Sequence, residues 1–197
     1  MARALSRQVL LNIPNLVTYG RIAVIPLIML LMMSQGPHRE HSTNVILSLV
    51  AAFFFILAGI SDLVDGHFAR KYGMVSLMGK FVDPLADKLI HLAVMILMIP
   101  MGRLPAWLVV VLVSREMLIS GLRAVAIGEG VEIPADRLGK KKTAWLNCGL
   151  SGLLIWYPIF GVSSYTFGWF CMVMGTIYSL ISGGNYIWHF YRSLKNQ

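Results

Sequence analysis

Charge is scarce in this sequence. Only 13% of its 197 residues are charged and nine are acidic, about half the charged share of an ordinary soluble domain. With 57% hydrophobic residues and a mean hydropathy of +0.70, a water-soluble globule is excluded. The length suits five to seven membrane-spanning helices of about 20 residues each. Cysteine is nearly absent. Cys148 and Cys171 lie in separate apolar runs, so neither zinc spacing nor a disulfide framework is present, and both read as small buried hydrophobes. There is no internal repeat and no low-complexity tail. The first apolar run follows a basic start without a small-residue cleavage site, so no cleavable signal peptide is expected.

What is abundant is grease in long runs. Hydrophobicity predicts an all-α integral membrane protein with six transmembrane helices, at about 13–33, 45–70, 82–100, 107–127, 143–160 and 165–191. Ahead of them, residues 1–12 form a basic, amphipathic juxtamembrane segment. They predict a short interfacial helix with Arg3 and Arg7 toward anionic head groups. Residues 13–197 then make one membrane domain. Gly149, Ser151 and Gly152, and again Ser182, Gly183 and Gly184, predict close helix packing. All 17 basic residues except Arg39 and Arg103 fall on one side of this layout or at the helix ends facing it. The positive-inside rule makes that side, with both termini, cytoplasmic.

Against this background the acids stand out. Four of the nine fall within residues 61–88: Asp62, Asp65, Asp83 and Asp87. Ionisable residues at membrane depth call for a functional explanation. Asp62 and Asp65 are i and i+3, Asp83 and Asp87 i and i+4, so each pair projects from one helix face. Two such faces brought together would repel unless cations lay between them. Hard divalent ions with oxygen ligands, Mg²⁺ or Mn²⁺, suit that role. A divalent-cation transporter could use the same cluster, although it gains nothing from the fixed arginine nearby. His67 and His91 lie close by, but hard cations prefer oxygen.

In full the stretch reads Asp62-x2-Asp65-Gly66-x2-Ala69-Arg70-x8-Gly79-x3-Asp83-x3-Asp87. At every fixed position it resembles the signature of the CDP-alcohol phosphotransferase family, and eight matched residues leave little room for chance. The resemblance implies transfer of a phosphatidyl group from a CDP-linked lipid to an alcohol, with release of CMP. It implies two metal ions held by Asp62, Asp65, Asp83 and Asp87, with Asp87 also the general base. The CDP-lipid would meet Asp62, Gly66, Ala69, Arg70, Ser76 and Gly79. The glycines would let the nucleotide approach the backbone, and Arg70 would offer a planar fork to phosphate. Asn12-x-Pro14-Asn15-x2-Thr18-x2-Arg21 is similar to the start of the first span in bacterial members, which adds Asn15 and Thr18 to the CDP pocket. A homodimer in the bacterial inner membrane, with the site open to the cytoplasm, is also implied. No nucleic-acid partner is expected.

The acceptor is narrowed by two further stretches. Ser114-Arg115-Glu116-x-Leu118-Ile119-Ser120-x-Leu122-Arg123 and Gly139-Lys140-x-Lys142-Thr143 are similar to the phosphatidylglycerophosphate synthase branch. Arg115 and Arg123, about two helical turns apart, read as sharing a face. With Lys142 they would hold the phosphate of sn-glycerol 3-phosphate, a dianion that needs cations. Two positions depart from that branch. Leu146 stands where a Gln is common, and Ala124 where an acid is common. Inositol phosphate, phosphatidylglycerol or serine therefore remain alternative acceptors.

Overall fold

The computed structural model describes residues 13–71, 77–128, 137–159 and 161–195, with side chains over 19–61, 85–126, 138–159 and 161–193 and at 128 and 195. The juxtamembrane segment 1–12 lies outside the described residues. Six α-helices and no strand occur among those described: α1 (Ile13–Met33), α2 (His41–Lys71), α3 (Leu77–Met98), α4 (Ala106–Gly128), α5 (Arg137–Ile155) and α6 (Ser164–Lys195). The chain divides into two compact units, Met1–Leu97 and Met98–Gln197.

Surfaces of both units are apolar. Leu30 is 65% exposed, Phe53 60%, Val110 62% and Trp188 64%. Apolar faces this extensive fit a membrane protein. Among the described residues, His41–Ser61 and Ser164–Ser193 are long and apolar enough to cross a membrane, and Tyr19–Met33 is a shorter apolar helix.

In the first unit α1 packs along α2. The buried side of α2 is built from Ser48, Ala51, Ala52, Phe55 and Ala58, whose steps of three and four residues follow the helical repeat. Small side chains there let Ile28 and Met32 of α1 come close. The turn between them is tied by Asn44. Its Nδ2 donates to the Gly36 carbonyl at 2.9 Å and its Oδ1 accepts from the Gly36 amide at 3.3 Å. Ser48 Oγ donates to Gln35 Oε1 at 2.9 Å. The ring of Phe55 meets His91 of α3 edge-on, centroids 5.6 Å apart.

The second unit is an antiparallel hairpin of α5 and α6 with α4 packed on α6. Missing side chains set its register. A Cβ on Gly149 would meet the Met172 amide nitrogen at 2.9 Å, and one on Gly152 would meet Gly168 Cα at 2.8 Å. A Cβ on Gly175 would meet the Leu146 amide nitrogen at 3.1 Å. Each step back along α5 is matched by a step forward along α6, so backbones touch over several turns. Gly139 continues the seam as far as Ser182. Gly184, by contrast, has nothing near it, so close packing holds for Gly183 but not for its neighbour.

That difference gives a paired test. Gly168→Ala places a Cβ 2.8 Å from the Leu153 amide nitrogen, which has no flexible side chain to yield. Overpacking of this kind costs about 1–3 kcal/mol, more than the roughly 1 kcal/mol that Ala gains over Gly as a helix former. Thermal melting in detergent should fall for Gly168→Ala and stay level or rise for Gly184→Ala.

Helix limits differ from the expected spans where capping takes over. α5 starts at Arg137 because its first basic turn is helical before it becomes apolar, and it stops at Ile155 rather than near 160. Trp156 adopts a positive φ of 63° and ends the helix. Arg103 then caps it, donating from Nη1 to the carbonyls of Leu153 at 3.2 Å and Leu154 at 2.8 Å. These are among the last carbonyls, which lack helical partners. Arg103 is 4% exposed, and its guanidinium lies 5.2 Å from the Trp156 ring centroid. Burial pushes its pKa down to about 10, so it stays charged at neutral pH. Arg103 itself follows Gly102, whose φ of 68° closes a Schellman turn. There the Gly102 amide bonds the Ile99 carbonyl and the Arg103 amide bonds the Met98 carbonyl. One of the two basic residues that break the positive-inside pattern is therefore a helix cap.

Both cysteines are free, and Cys171 is buried as expected, but Cys148 is exposed. In a membrane helix an apolar run does not mark a buried face, because lipid accepts apolar side chains as readily as the interior does.

Candidate active site

The aspartates fall on two consecutive helices of the first unit. Asp62 and Asp65, with Gly66, Ala69 and Arg70, lie in the last turns of α2; Gly79, Asp83 and Asp87 lie in α3. Helical backbone runs unbroken through each set, so each aspartate pair sits one turn apart on one side of its helix. Ser76 and the side chains of Asp62, Asp65, Gly66, Ala69, Arg70, Gly79 and Asp83 lie outside the described residues, as do those of Asn15 and Thr18 near the start of α1. Among the described residues no three His, Cys, Asp or Glu gather into a metal site. Only Asp87 of the four aspartates belongs to the set of described side chains.

Asp87 is half-buried, with 36% of its side chain exposed. His91, one turn on, points Nδ1 at the Asp87 backbone carbonyl, 2.6 Å away. A carbonyl only accepts, so that nitrogen carries the proton. The same nitrogen is 3.5 Å from Asp87 Oδ1. The Asp87 carboxylate makes no hydrogen bond to a described residue, which leaves it available to a proton or an ion. His91 is committed to the carbonyl and to Phe55.

The second unit carries the other set of residues. Arg115 of α4 reaches across to α6. Its Nε donates to the Ser179 carbonyl at 2.9 Å and its Nη2 to Ser182 Oγ at 3.1 Å. Gly183 makes room for it: a Cβ there would stand 3.1 Å from Arg115 Nε. The remaining terminal nitrogen, Nη1, donates to Glu116 Oε1 at 2.8 Å. Lys142 of α5 donates to the same Glu116 oxygen. Arg115 and Lys142 thus meet at one carboxylate oxygen, with side chains only 12% and 11% exposed.

Arg123 does not join them. It is exposed, and its guanidinium lies 5.8 Å from the Tyr186 ring centroid. Eight residues pass two whole turns by a rotation of roughly 80°, and both side chains reach α6, Arg115 at Ser179 and Ser182 and Arg123 one turn further on at Tyr186. Leu146, one of the two departures from the synthase pattern, packs against Gly175 in the seam between α5 and α6.

Reasoning from sequence missed Glu116 as a contributor, although a signal existed. It is the only acid in α4, and a lone carboxylate in an apolar helix needs partners.

The comparisons with known proteins agree with the motif. The family model described as CDP-alcohol phosphatidyltransferase matches residues 11–181. A CDP-diacylglycerol–glycerol-3-phosphate 3-phosphatidyltransferase of Bacillus subtilis is 36% identical over 188 residues, covering 93% of this chain and 97% of the relative. One of the same name from Rickettsia typhi is 37% identical over 144 residues, covering 73% of this chain and 76% of the relative. A probable phosphatidylglycerophosphate synthase of Mycobacterium tuberculosis is 37% identical over 132 residues, covering 67% and 60%.

Proposed function

The chain belongs to the CDP-alcohol phosphatidyltransferase family, and from that premise we propose that it transfers the phosphatidyl group of CDP-diacylglycerol to sn-glycerol 3-phosphate. The products are phosphatidylglycerophosphate and CMP, a step in phospholipid biosynthesis. The observation that carries this reading is the unbroken motif from Asp62 to Asp87, set on two consecutive helices inside the matched region. The acceptor follows the names of the relatives, one of them aligned over nearly the whole chain.

Asp62, Asp65, Asp83 and Asp87 would hold two divalent ions, Mg²⁺ or Mn²⁺. The donor set fits: four carboxylates in pairs one helical turn apart, all oxygen and none soft. When bound, such ions supply charge stabilisation to the pyrophosphate oxygens and the departing CMP. Gly66, Ala69 and Gly79 keep side-chain bulk away from the nucleotide, and Arg70 grips phosphate. Asn15, Thr18 and Ser76 complete the CDP pocket.

The C1 hydroxyl oxygen of the acceptor attacks the phosphorus bonded to diacylglycerol. The bond from that phosphorus to the CMP oxygen breaks, and Asp87 takes the hydroxyl proton. Arg115 and Lys142 bind the acceptor phosphate, with Arg123 as a further cation. An acceptor carrying two negative charges gains from this set; choline or serine does not.

The distribution of Lys and Arg supports a multi-pass protein of the bacterial inner membrane with six spans, both termini and the site on the cytoplasmic side. A homodimer rests on the family resemblance.

The test is an acceptor panel with purified protein and radiolabelled CDP-diacylglycerol. Labelled phosphatidylglycerophosphate should form with glycerol 3-phosphate, and little product should form with inositol phosphate, phosphatidylglycerol or serine. Preference for another of these would keep the family and replace the acceptor. Divalent-cation uptake into proteoliposomes, with no product from any acceptor, would favour transport instead.

A further inference from the structure

We propose that Glu116 is a positioning residue of the acceptor site: its carboxylate fixes the Lys142 ammonium beside the Arg115 guanidinium at the spacing a phosphate dianion requires. The proposal rests on the reading of Arg115 and Lys142 as the acceptor's cations.

Arg115 is held by α6. Its Nε and Nη2 are taken up by the Ser179 carbonyl and Ser182 Oγ, and its stem lies over the bare backbone at Gly183. One N–H on each terminal nitrogen is left over from the five the guanidinium carries. Lys142 has a different origin, the second turn of α5, and a flexible four-carbon stem. Two cations drawn together in a poorly hydrated place repel each other. Glu116 is what joins them. Both bond to its Oε1, and among the described residues its Oε2 has no partner. With 31% of its side chain exposed, the carboxylate is open to the surroundings while the cations are nearly covered. Losing it would remove the bond that sets Lys142 beside Arg115 without touching the bonds that hold Arg115 to α6.

A mere brace between α4 and α5 would act on folding and on both substrates alike. A positioning role acts on the acceptor alone. Kinetics of Glu116→Gln should therefore show the KM for glycerol 3-phosphate raised by about tenfold, the size of one lost charge-assisted hydrogen bond. The KM for CDP-diacylglycerol should stay near the parent value, and kcat at saturating acceptor should change by no more than about threefold. Glu116→Asp, which keeps the charge on a shorter stem, should fall between the two and serves if the Gln variant does not accumulate. Adding Glu116→Gln to a Lys142→Ala background should raise the acceptor KM by much less than it does alone.

An unchanged or lowered acceptor KM in both Glu116 variants would overturn the proposal, a lowered value meaning that the carboxylate competes with phosphate. Parallel rises for both substrates would overturn it in favour of the brace. If the parent protein made no product from glycerol 3-phosphate, the acceptor assignment itself would fall; if it did and Glu116→Gln left KM alone, only the role of Glu116 would.

Discussion

Replacing Asp87 with Asn should lower turnover roughly a thousandfold, the middle of the range for loss of a general base. The amide keeps the shape of the side chain and removes its basicity. Asp87 is half-buried and its carboxylate is not engaged by any described hydrogen bond, so no structural bond to a described residue is lost. Melting temperature in detergent should stay close to that of the parent protein. Full activity in the purified, folded variant would remove Asp87 from the role of base. The proton would then have to go to another acceptor.

The second large effect belongs to Arg115. Arg115→Ala should raise the KM for glycerol 3-phosphate by at least about tenfold, since a phosphate loses a charged partner. The KM for CDP-diacylglycerol should change little. This variant should also lose stability. The guanidinium donates to the Ser179 carbonyl and Ser182 Oγ of α6 and to Glu116, and removing one partner leaves buried groups unsatisfied. Arg115→Lys separates the two consequences. It keeps the charge but lacks the planar fork, so binding should suffer less than with Ala while the α4–α6 bonds are still lost. Equal KM rises for both substrates in Arg115→Ala would argue against a phosphate-binding role.

Much of this was legible from residue types alone. The six helices follow from long apolar runs broken by polar turns, and the pairing of the aspartates follows from helical spacing. The family followed from the motif. What the sequence could not show depends on how one helix meets another. The α5–α6 register is set by backbone contact at Gly149, Gly152 and Gly168, and no periodicity in either helix states which glycine meets which. That register places Ser179 and Ser182 where Arg115 can reach them. The bridging role of Glu116 depends on it too, because Lys142 comes from a different helix. Arg103 gave no sign of being a helix cap, since its partners lie about 50 residues on, at Leu153 and Leu154. Cys148 was misread as buried because an exposed position in an apolar helix and a core position share one composition.

Distance along the helix explains the remaining difference. Arg123 reaches α6 as Arg115 does, but over Tyr186 rather than beside Glu116, because eight residues set the two about 12 Å apart along the axis.

The central claim is that carboxylates from α2 and α3 share divalent ions that grip the CDP-lipid diphosphate. The most direct measurement is CMP release from CDP-diacylglycerol in the presence of glycerol 3-phosphate, before and after chelation, for the parent protein and for Asp62→Asn. Release should stop in EDTA, return on adding Mg²⁺ or Mn²⁺, and stay at background in Asp62→Asn under every condition. Undiminished release after complete chelation, or a fully active Asp62→Asn, would contradict it.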